Sequence, residues 1–495
     1  MNRHWLIVPA LLCAARIVGA ENLQMVYDHA LVADPTMQQA EAVHRASRET
    51  RTQAILDMLP LNAVASKQWY GVASQNRSTP AFANLNLRVN LYSWNNWIAL
   101  KQASSTVAQA EANYQAARED LITRVTQQYF AVLGAADALA AQQSALESVT
   151  RQLEQAERRF EVGLIAITDV QIARAARDST AAAVIAAKRT QATAEEQLRA
   201  ITGEKYRRLA APGDGMPLLA PDPASEDAWV TTALSQNSNL IASRLAESIA
   251  RDGYLTAIGG HLPTVNASAS RSWDLTNGNG QGFQSGGGGT PITTINTQDI
   301  VWSVGVTVPL FSAGATQSRV RQAKYLWKAS QAGYEGALRQ TELLARDAYQ
   351  GVVSQIAQVG ALRQAVESNR VSLRATEAGY EVGTKTAIDV LSSRQLYVQA
   401  LTNYAQAKYG YLNDLVALRV AAGNLDRSTI GQINTWLVEP PDTEAPATPA
   451  PTSAPAPMPA PAPPPAPASA PGDAAAPGDA APAPTKSPAA APAAP

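Results

Sequence analysis

Two aspartates stand at the same place in two copies of one motif. Phe160-Glu161-Val162-Gly163-Leu164-Ile165-Ala166-Ile167-Thr168-Asp169-Val170 returns as Tyr380-Glu381-Val382-Gly383-Thr384-Lys385-Thr386-Ala387-Ile388-Asp389-Val390. An aspartate on one copy can accept a hydrogen bond from a phenol and pair with an ammonium, and the second copy carries both, as Tyr380 and Lys385. Such chemistry holds and releases; it makes no bond. A catalytic reading finds little support. His4, His29, His44 and His261 are scattered without metal-ligand spacing. Gly278-Asn279-Gly280-Gln281-Gly282 is followed by no helical pattern and reads as an external loop. We therefore expect no enzyme, no cofactor and no metal.

The duplication reaches well beyond the motif. Leu31 to Pro35 aligns with Leu234 to Ser238, and Leu59-Pro60 with Leu262-Pro263, at an offset of about 203 residues. Leu91-Tyr92-Ser93, Tyr114 and Tyr129 align with Leu310-Phe311-Ser312, Tyr334 and Tyr349 at about 220. The second half thus gains about 17 residues between Pro263 and Leu310, the obvious insert being the Gly/Asn/Thr stretch from Asn277 to Thr297. Loop tips tolerate insertions and element interiors do not, so the flanks should form a hairpin in each half. Leu85 to Leu91 and Trp302 to Val308 alternate apolar and polar residues, the strand period. We expect four strands, at about 61–75, 80–94, 262–275 and 298–312. Trp69, Trp94, Trp97, Trp273 and Trp302 lie on or beside them, as an aromatic membrane girdle requires, although a soluble sheet with exposed aromatics would read similarly.

Residues 1–20 read as a cleaved signal peptide containing the chain's one cysteine, Cys13, so the remainder carries no thiol chemistry. With 40 basic and 41 acidic residues, nothing points to nucleic acid. No stretch is apolar for the roughly 18–20 residues that a spanning helix needs, so any membrane passage falls to the strands. Residues 439–495, rich in Pro and Ala, read as a disordered tail and solvated spacer. The chain then divides into a first repeat over 21–230 and a second over 231–438.

Asn95 to Glu161 and Ala313 to Glu381 contain no proline and could each run close to 100 Å as helix. They turn at tips near 161–168 and 381–388, and shorter helices return over about 167–203 and 387–422, ending near Gly203 and Gly423. Leu146, Val149, Leu153, Ala156 and Phe160 follow a coiled-coil seam. The second seam, Val366, Asn369, Leu373, Thr376 and Tyr380, is more polar, which suits either fixed register or a moving interface. Four strands cannot close a membrane barrel, and open edges in lipid cost several kcal/mol per unpaired group. Two chains would give a side-chain-filled barrel of eight strands, and three a barrel of twelve that could enclose a channel.

With these features the sequence resembles the TolC-type outer-membrane efflux and secretion ducts over roughly residues 22–437. The resemblance rests on the two tips, the breaks at Asp34-Pro35 and Asn237-Ser238, the Leu-Pro pairs before the strands, and Gln197 to Gly203. It implies a mixed α and β membrane protein: a homotrimer in the outer-membrane lipid, with a twelve-stranded barrel continued by a periplasmic coiled-coil α-barrel. Equatorial helices would arise near Ser225 to Ser235 and after Asp426. It further implies a passive duct for a tripartite efflux pump or type I secretion system. A periplasmic adaptor and an inner-membrane pump or ABC transporter would open it. The resemblance maps a hydrogen bond from Tyr380 to Asp169, contacts of Thr168 and Asp169 with Lys385, and a pair between Gln152 and Glu377 of a neighbouring chain. Gly163 and Gly383 would mark where the adaptor docks, and Asp389 would form an acidic selectivity ring. Helix N-capping or a solvated first turn competes with that last role. Two departures matter. Lys385 stands where the family often has arginine, so a two-pronged contact becomes a point charge. Ser392 replaces a frequent second aspartate, so cation block should be weaker than with a double ring. A periplasmic adaptor would share the long helices but resembles a single hairpin, not two full copies with Trp-flanked strands; a non-conducting coiled-coil scaffold is the other alternative, which detergent dependence and single-channel current would separate from a duct.

Overall fold

The computed structural model describes residues 21–58, 61–67, 81–206, 208–213, 215–274 and 300–438. The expected signal peptide and tail lie outside these residues, as do Trp69, Leu59-Pro60, the outer part of the first strand and the Gly-rich insert.

Each repeat opens with a broken helix. In the first, α1 (Leu23–Ala33) gives way to α2 (Pro35–Leu56) at Asp34, whose carboxylate accepts from the Met37 N–H at 3.1 Å. Pro35 cannot donate to the preceding turn, and at the first position of α2 it has no need to. In the second, α5 (Glu226–Gln236) breaks into α6 (Ser238–Gly259) at Asn237, which caps Leu240 N–H at 3.0 Å. The same break is secured by different chemistry. Asp34, 2% exposed, forms an ion pair with Arg124 at 2.8 Å. Asn237 instead donates its amide to the carbonyl of Ala421 at 3.1 Å.

The strands follow. β1 (Leu61–Lys67) and β2 (Ala81–Tyr92) form one antiparallel pair, β4 (Thr264–Asp274) and β5 (Ile300–Thr307) another, and β2 pairs with β4. The sheet order β1-β2-β4-β5 joins the repeats and leaves β1 and β5 as edges. Register assigns each face. Leu85, Leu87 and Val89 stand opposite Arg271, Ala269 and Ala267, which pair with Ile300, Trp302 and Val304 of β5. The other face carries Asn84, Asn86, Arg88, Asn266, Ser268 and Ser303, and the Ser268 and Ser303 hydroxyls meet at 2.7 Å. The apolar face is uncovered: Trp302 is 76% exposed and Val304 72%. A soluble four-stranded sheet needs a packed face to be stable, and this one has none within the chain.

The long helices match the sequence closely. α3 (Trp94–Glu161) and α7 (Ala315–Glu381) have 68 and 67 residues, about 100 Å each. They return as α4 (Ile167–Thr202) and α8 (Ala387–Ala422). Gly423 closes α8 at φ 70°, and a Cβ there would lie 2.4 Å from the Gln236 backbone, so both conformation and space demand glycine. The main core lies where α1 meets the middle of α3, the ends of α4 and α8, and α9 (Arg427–Asn434). The short β3 (Ala211–Pro212) and β6 (Leu437–Val438) pair beside it. Tyr129, Phe130, Tyr411 and Leu412 are buried there, and the Tyr129 hydroxyl donates to the Ala210 carbonyl at 2.6 Å. The equatorial helices that the resemblance implied are α5 and α9, beginning after Ser225 and Asp426.

The side chains refine these expectations. Of the expected seam, Val149 and Ala156 are buried and Leu153 packs beside Ala156, whereas Phe160 is exposed; Ala145 and Gln152 are buried alongside. Trp94 starts α3, two residues after β2, and donates to the Leu255 carbonyl at 3.1 Å, which ties α3 to α6. Asn369 spends its amide on the Ala365 carbonyl of its own helix.

Candidate functional site

Each tip is a five-residue turn made by the same device. Gly163 (φ 77°) and Gly383 (φ 80°) adopt the left-handed conformation that reverses the chain. The next N–H reaches back five residues: Leu164 to the Arg159 carbonyl at 2.9 Å, Thr384 to the Gly379 carbonyl at 2.8 Å. This is the Schellman closure, which satisfies carbonyls the helix end leaves free. Both glycines are exposed.

Beneath the shared backbone the side chains of the two tips differ. The cap of α8 is Thr386, and that of α4 is Ala166. Asp389 is therefore held in a capping box: its Oδ2 accepts from the Thr386 N–H and hydroxyl, both at 2.9 Å. These bonds, the backbone one first, and the nearby Lys385 hold its pKa below the ordinary aspartate value. At Asp169, half-buried at the aligned position, no hydroxyl caps the helix, and its carboxylate has no hydrogen-bond partner among the described residues. Thr168 beside it is exposed. Two further differences complement one another. A Cβ on Gly379 would come within 2.7 Å of the Lys385 side chain, so glycine lets Lys385 fold back over its own tip. The aligned residue in the first repeat is Arg159, whose guanidinium lies 5.3 Å from the centre of the Tyr380 ring.

The side chains named by the sequence are thus only partly brought together. Within the chain Tyr380 meets Arg159, and no hydrogen bond joins it to Asp169 among the described residues. Glu377 is paired with Arg394 across its own hairpin, and the first repeat does the same with Glu157 and Arg174 at 3.0 Å. This repeated cross-hairpin pair was readable, since the four residues keep the offset of the tips, but acid and base lie 17 residues apart in the chain and no short motif flags them. Gln152 is 9% exposed, and neither its oxygen nor its nitrogen has a partner among the described residues.

The arrangement offers exchangeable polar contacts on a rigid backbone. It places no base beside a nucleophile, and the described residues contain no cluster of three metal-ligating side chains. The Thr386 cap gives a direct test of the tip. Thr386→Ala should destabilise the second tip by about 1 kcal/mol, and the matching change in the first repeat does not exist because alanine is already there. Hydrogen exchange at Asp389 and Val390 should speed up about fivefold with no change at Asp169 and Val170.

Comparison with known proteins places the chain. The family model described as Outer membrane efflux protein matches residues 26–204 and 229–424. Outer membrane protein TolC of Escherichia coli (strain K12) is 32% identical over 439 residues, covering 87% of this chain and 88% of that protein. Outer membrane protein TolC of Vibrio cholerae is 34% identical over 431 residues, covering 85% and 94%. The crystal structure of the outer membrane protein VceC from Vibrio cholerae superposes with a TM-score of 0.66 at 20% identity, covering 81% of this chain and 96% of that one, a likeness of fold.

Proposed function

The chain belongs to the outer membrane efflux protein family, and from that premise we propose that three copies form a passive exit duct gated at the periplasmic tips. Its place is the bacterial outer membrane, with the helical part in the periplasm. The observation that carries the proposal is the two-faced sheet. It has one apolar face, one Asn/Ser face and two free edges, and it lacks a core of its own. Joining β5 of one copy to β1 of the next satisfies the edges, and twelve strands enclose a lumen where four or eight do not. The apolar face then meets lipid and the polar face meets water.

At the other end the tips close the tube. Asp169 is the uncommitted acceptor, and Tyr380 and Lys385 are the donors it would take on closing, the latter from a neighbouring copy. Each such link contributes about 1–3 kcal/mol and three-fold symmetry repeats it. Glu377 serves Gln152 of a neighbour only by sharing itself with Arg394. Asp389 keeps Oδ1 outside its capping box, so three copies still present an acidic ring. An adaptor bearing a pump's load would dock at the exposed turns around Gly163 and Gly383 and offer alternative partners for the links. Efflux and type I secretion both suit such a duct, because cargo is chosen by the inner-membrane component.

Single-channel recording in planar bilayers tests this. The wild type should show a small conductance and Asp169→Ala/Tyr380→Phe one severalfold larger. Equal conductances would keep the pore and remove the gate from the tips. No current from folded protein would favour the scaffold.

A further inference from the structure

The polar face of the sheet is almost entirely neutral. Of its side chains, asparagine and serine dominate on β2 and β4, and Arg88 and, at the far end of β4, Asp274 are the charged residues that the register places there. Arg88 stands opposite Ser268, whose hydroxyl is bonded to Ser303 on the next strand, so it belongs to that face and not to the apolar one. Arg88 is exposed and has no hydrogen-bond or ion-pair partner among the described residues. Asp274 stands six residues further along β4, about 20 Å along the strand. The other arginine of the sheet, Arg271, is on the apolar face and lies 5.1 Å from the Trp273 ring centre, the arrangement of a side chain anchored at a membrane interface.

A free guanidinium has a reason to be on this wall. On the opposite face an arginine near mid-membrane would cost about 2–4 kcal/mol, and a side chain with no internal role would serve as well if it were another asparagine. We propose that Arg88 makes the barrel lumen a station for multivalent anions: three copies of it form a cationic ring, and the solutes it favours are oligophosphates and polycarboxylates in transit. This rests on the trimeric duct proposed above. Arginine suits the task because its planar fork binds phosphate and carboxylate oxygens in pairs, and the surrounding asparagine amides and serine hydroxyls donate further hydrogen bonds without adding opposing charge. Charge rings of this kind set anion preference in pores. The acidic ring at Asp389 lies at the far end of helices about 100 Å long, so the two rings act on different mouths of the duct.

Tripolyphosphate is the probe, added to the barrel side of the protein in a planar bilayer at about 0.01 M salt, where screening extends to about 30 Å. Wild type should be blocked at a concentration about tenfold lower than Arg88→Asn, Arg88→Lys should fall between, and Ser268→Arg should lower the blocking concentration further. At about 1 M salt the difference should vanish. Wild type and Arg88→Asn blocked equally at low salt, with Ser268→Arg also unchanged, would overturn the inference and leave the duct intact. If neither protein carries current, the duct reading fails, and the anion station fails with it.

Discussion

Val304→Arg is expected to cost about 2–4 kcal/mol per chain in a lipid bilayer, whereas Ser303→Arg, its neighbour on the same strand, is expected to cost less than 1 kcal/mol. The two side chains differ only in face. Val304 pairs with Ala267 on the apolar side and is 72% exposed within one chain, while Ser303 pairs with Ser268 on the polar side. If the first face meets lipid, a guanidinium there loses its hydration or drags water into the hydrocarbon. On the second it meets the lumen. Because assembly repeats the penalty three times, Val304→Arg should leave little assembled protein. Urea titration in phospholipid vesicles, with trimer recovery read alongside, measures both. Equal effects from the two substitutions would mean that the sheet is not a wall between lipid and water.

The second large effect is expected at the helix break of the first repeat. Arg124→Met should destabilise the fold by about 3–5 kcal/mol, because it strands the carboxylate of Asp34, which is 2% exposed. The rescue is written in the second repeat. Asn237 occupies the equivalent break and caps it without a charge, so Asp34→Asn in the Arg124→Met background should recover most of the loss. Acid should act in the same direction as the arginine loss. Burial works against the Asp34 charge, but the bonds from Arg124, Thr36 and Met37 outweigh it and leave the pKa lowered from 3.8. A carboxyl with a depressed folded-state value contributes stability that is full above its unfolded value and is lost as pH falls through the lower folded one. The wild type should therefore weaken below about pH 4, and the Asp34→Asn/Arg124→Met protein should lose that part of its acid sensitivity. Thermal melts followed by circular dichroism across pH 2 to 7 would read it.

The duplication made most of the fold legible. Aligning the chain with itself located both tips, both broken helices and the four strands. The observed turns at 162–166 and 382–386 fall inside the expected ranges. Glycine and proline carry that information locally, since a left-handed turn or a missing donor leaves few alternatives. The rotation of the long helices about their axes was legible only in part. Alanine lies on every face of α3, so the apolar stripe is weak: the expected seam includes the buried Val149 and Ala156 but misses Gln152 and includes the exposed Phe160. The site was legible as a set of positions and less so as a set of contacts. Thr386 before Asp389 is a recognisable capping box, and the contrast with Ala166 could have been drawn from the motif alone. Arg159 over Tyr380 could not, because it joins residues of separate hairpins that only tertiary packing brings together.

The account stands on three chains closing one barrel through β5 and β1. A background free of the native thiol (Cys13→Ser) can carry one cysteine at Ala63 on β1 and a second at Ile300, Trp302, Val304 or Val306 on β5, which scans the unknown register between copies. A disulfide forms only where the paired Cβ atoms approach to about 3.5–4.5 Å. At one or two of these pairs, oxidation in membranes should yield a covalent trimer as the largest species on a denaturing gel. Monomer alone at every pair, dimer as the limit, or a ladder continuing past three would contradict the closed twelve-stranded barrel.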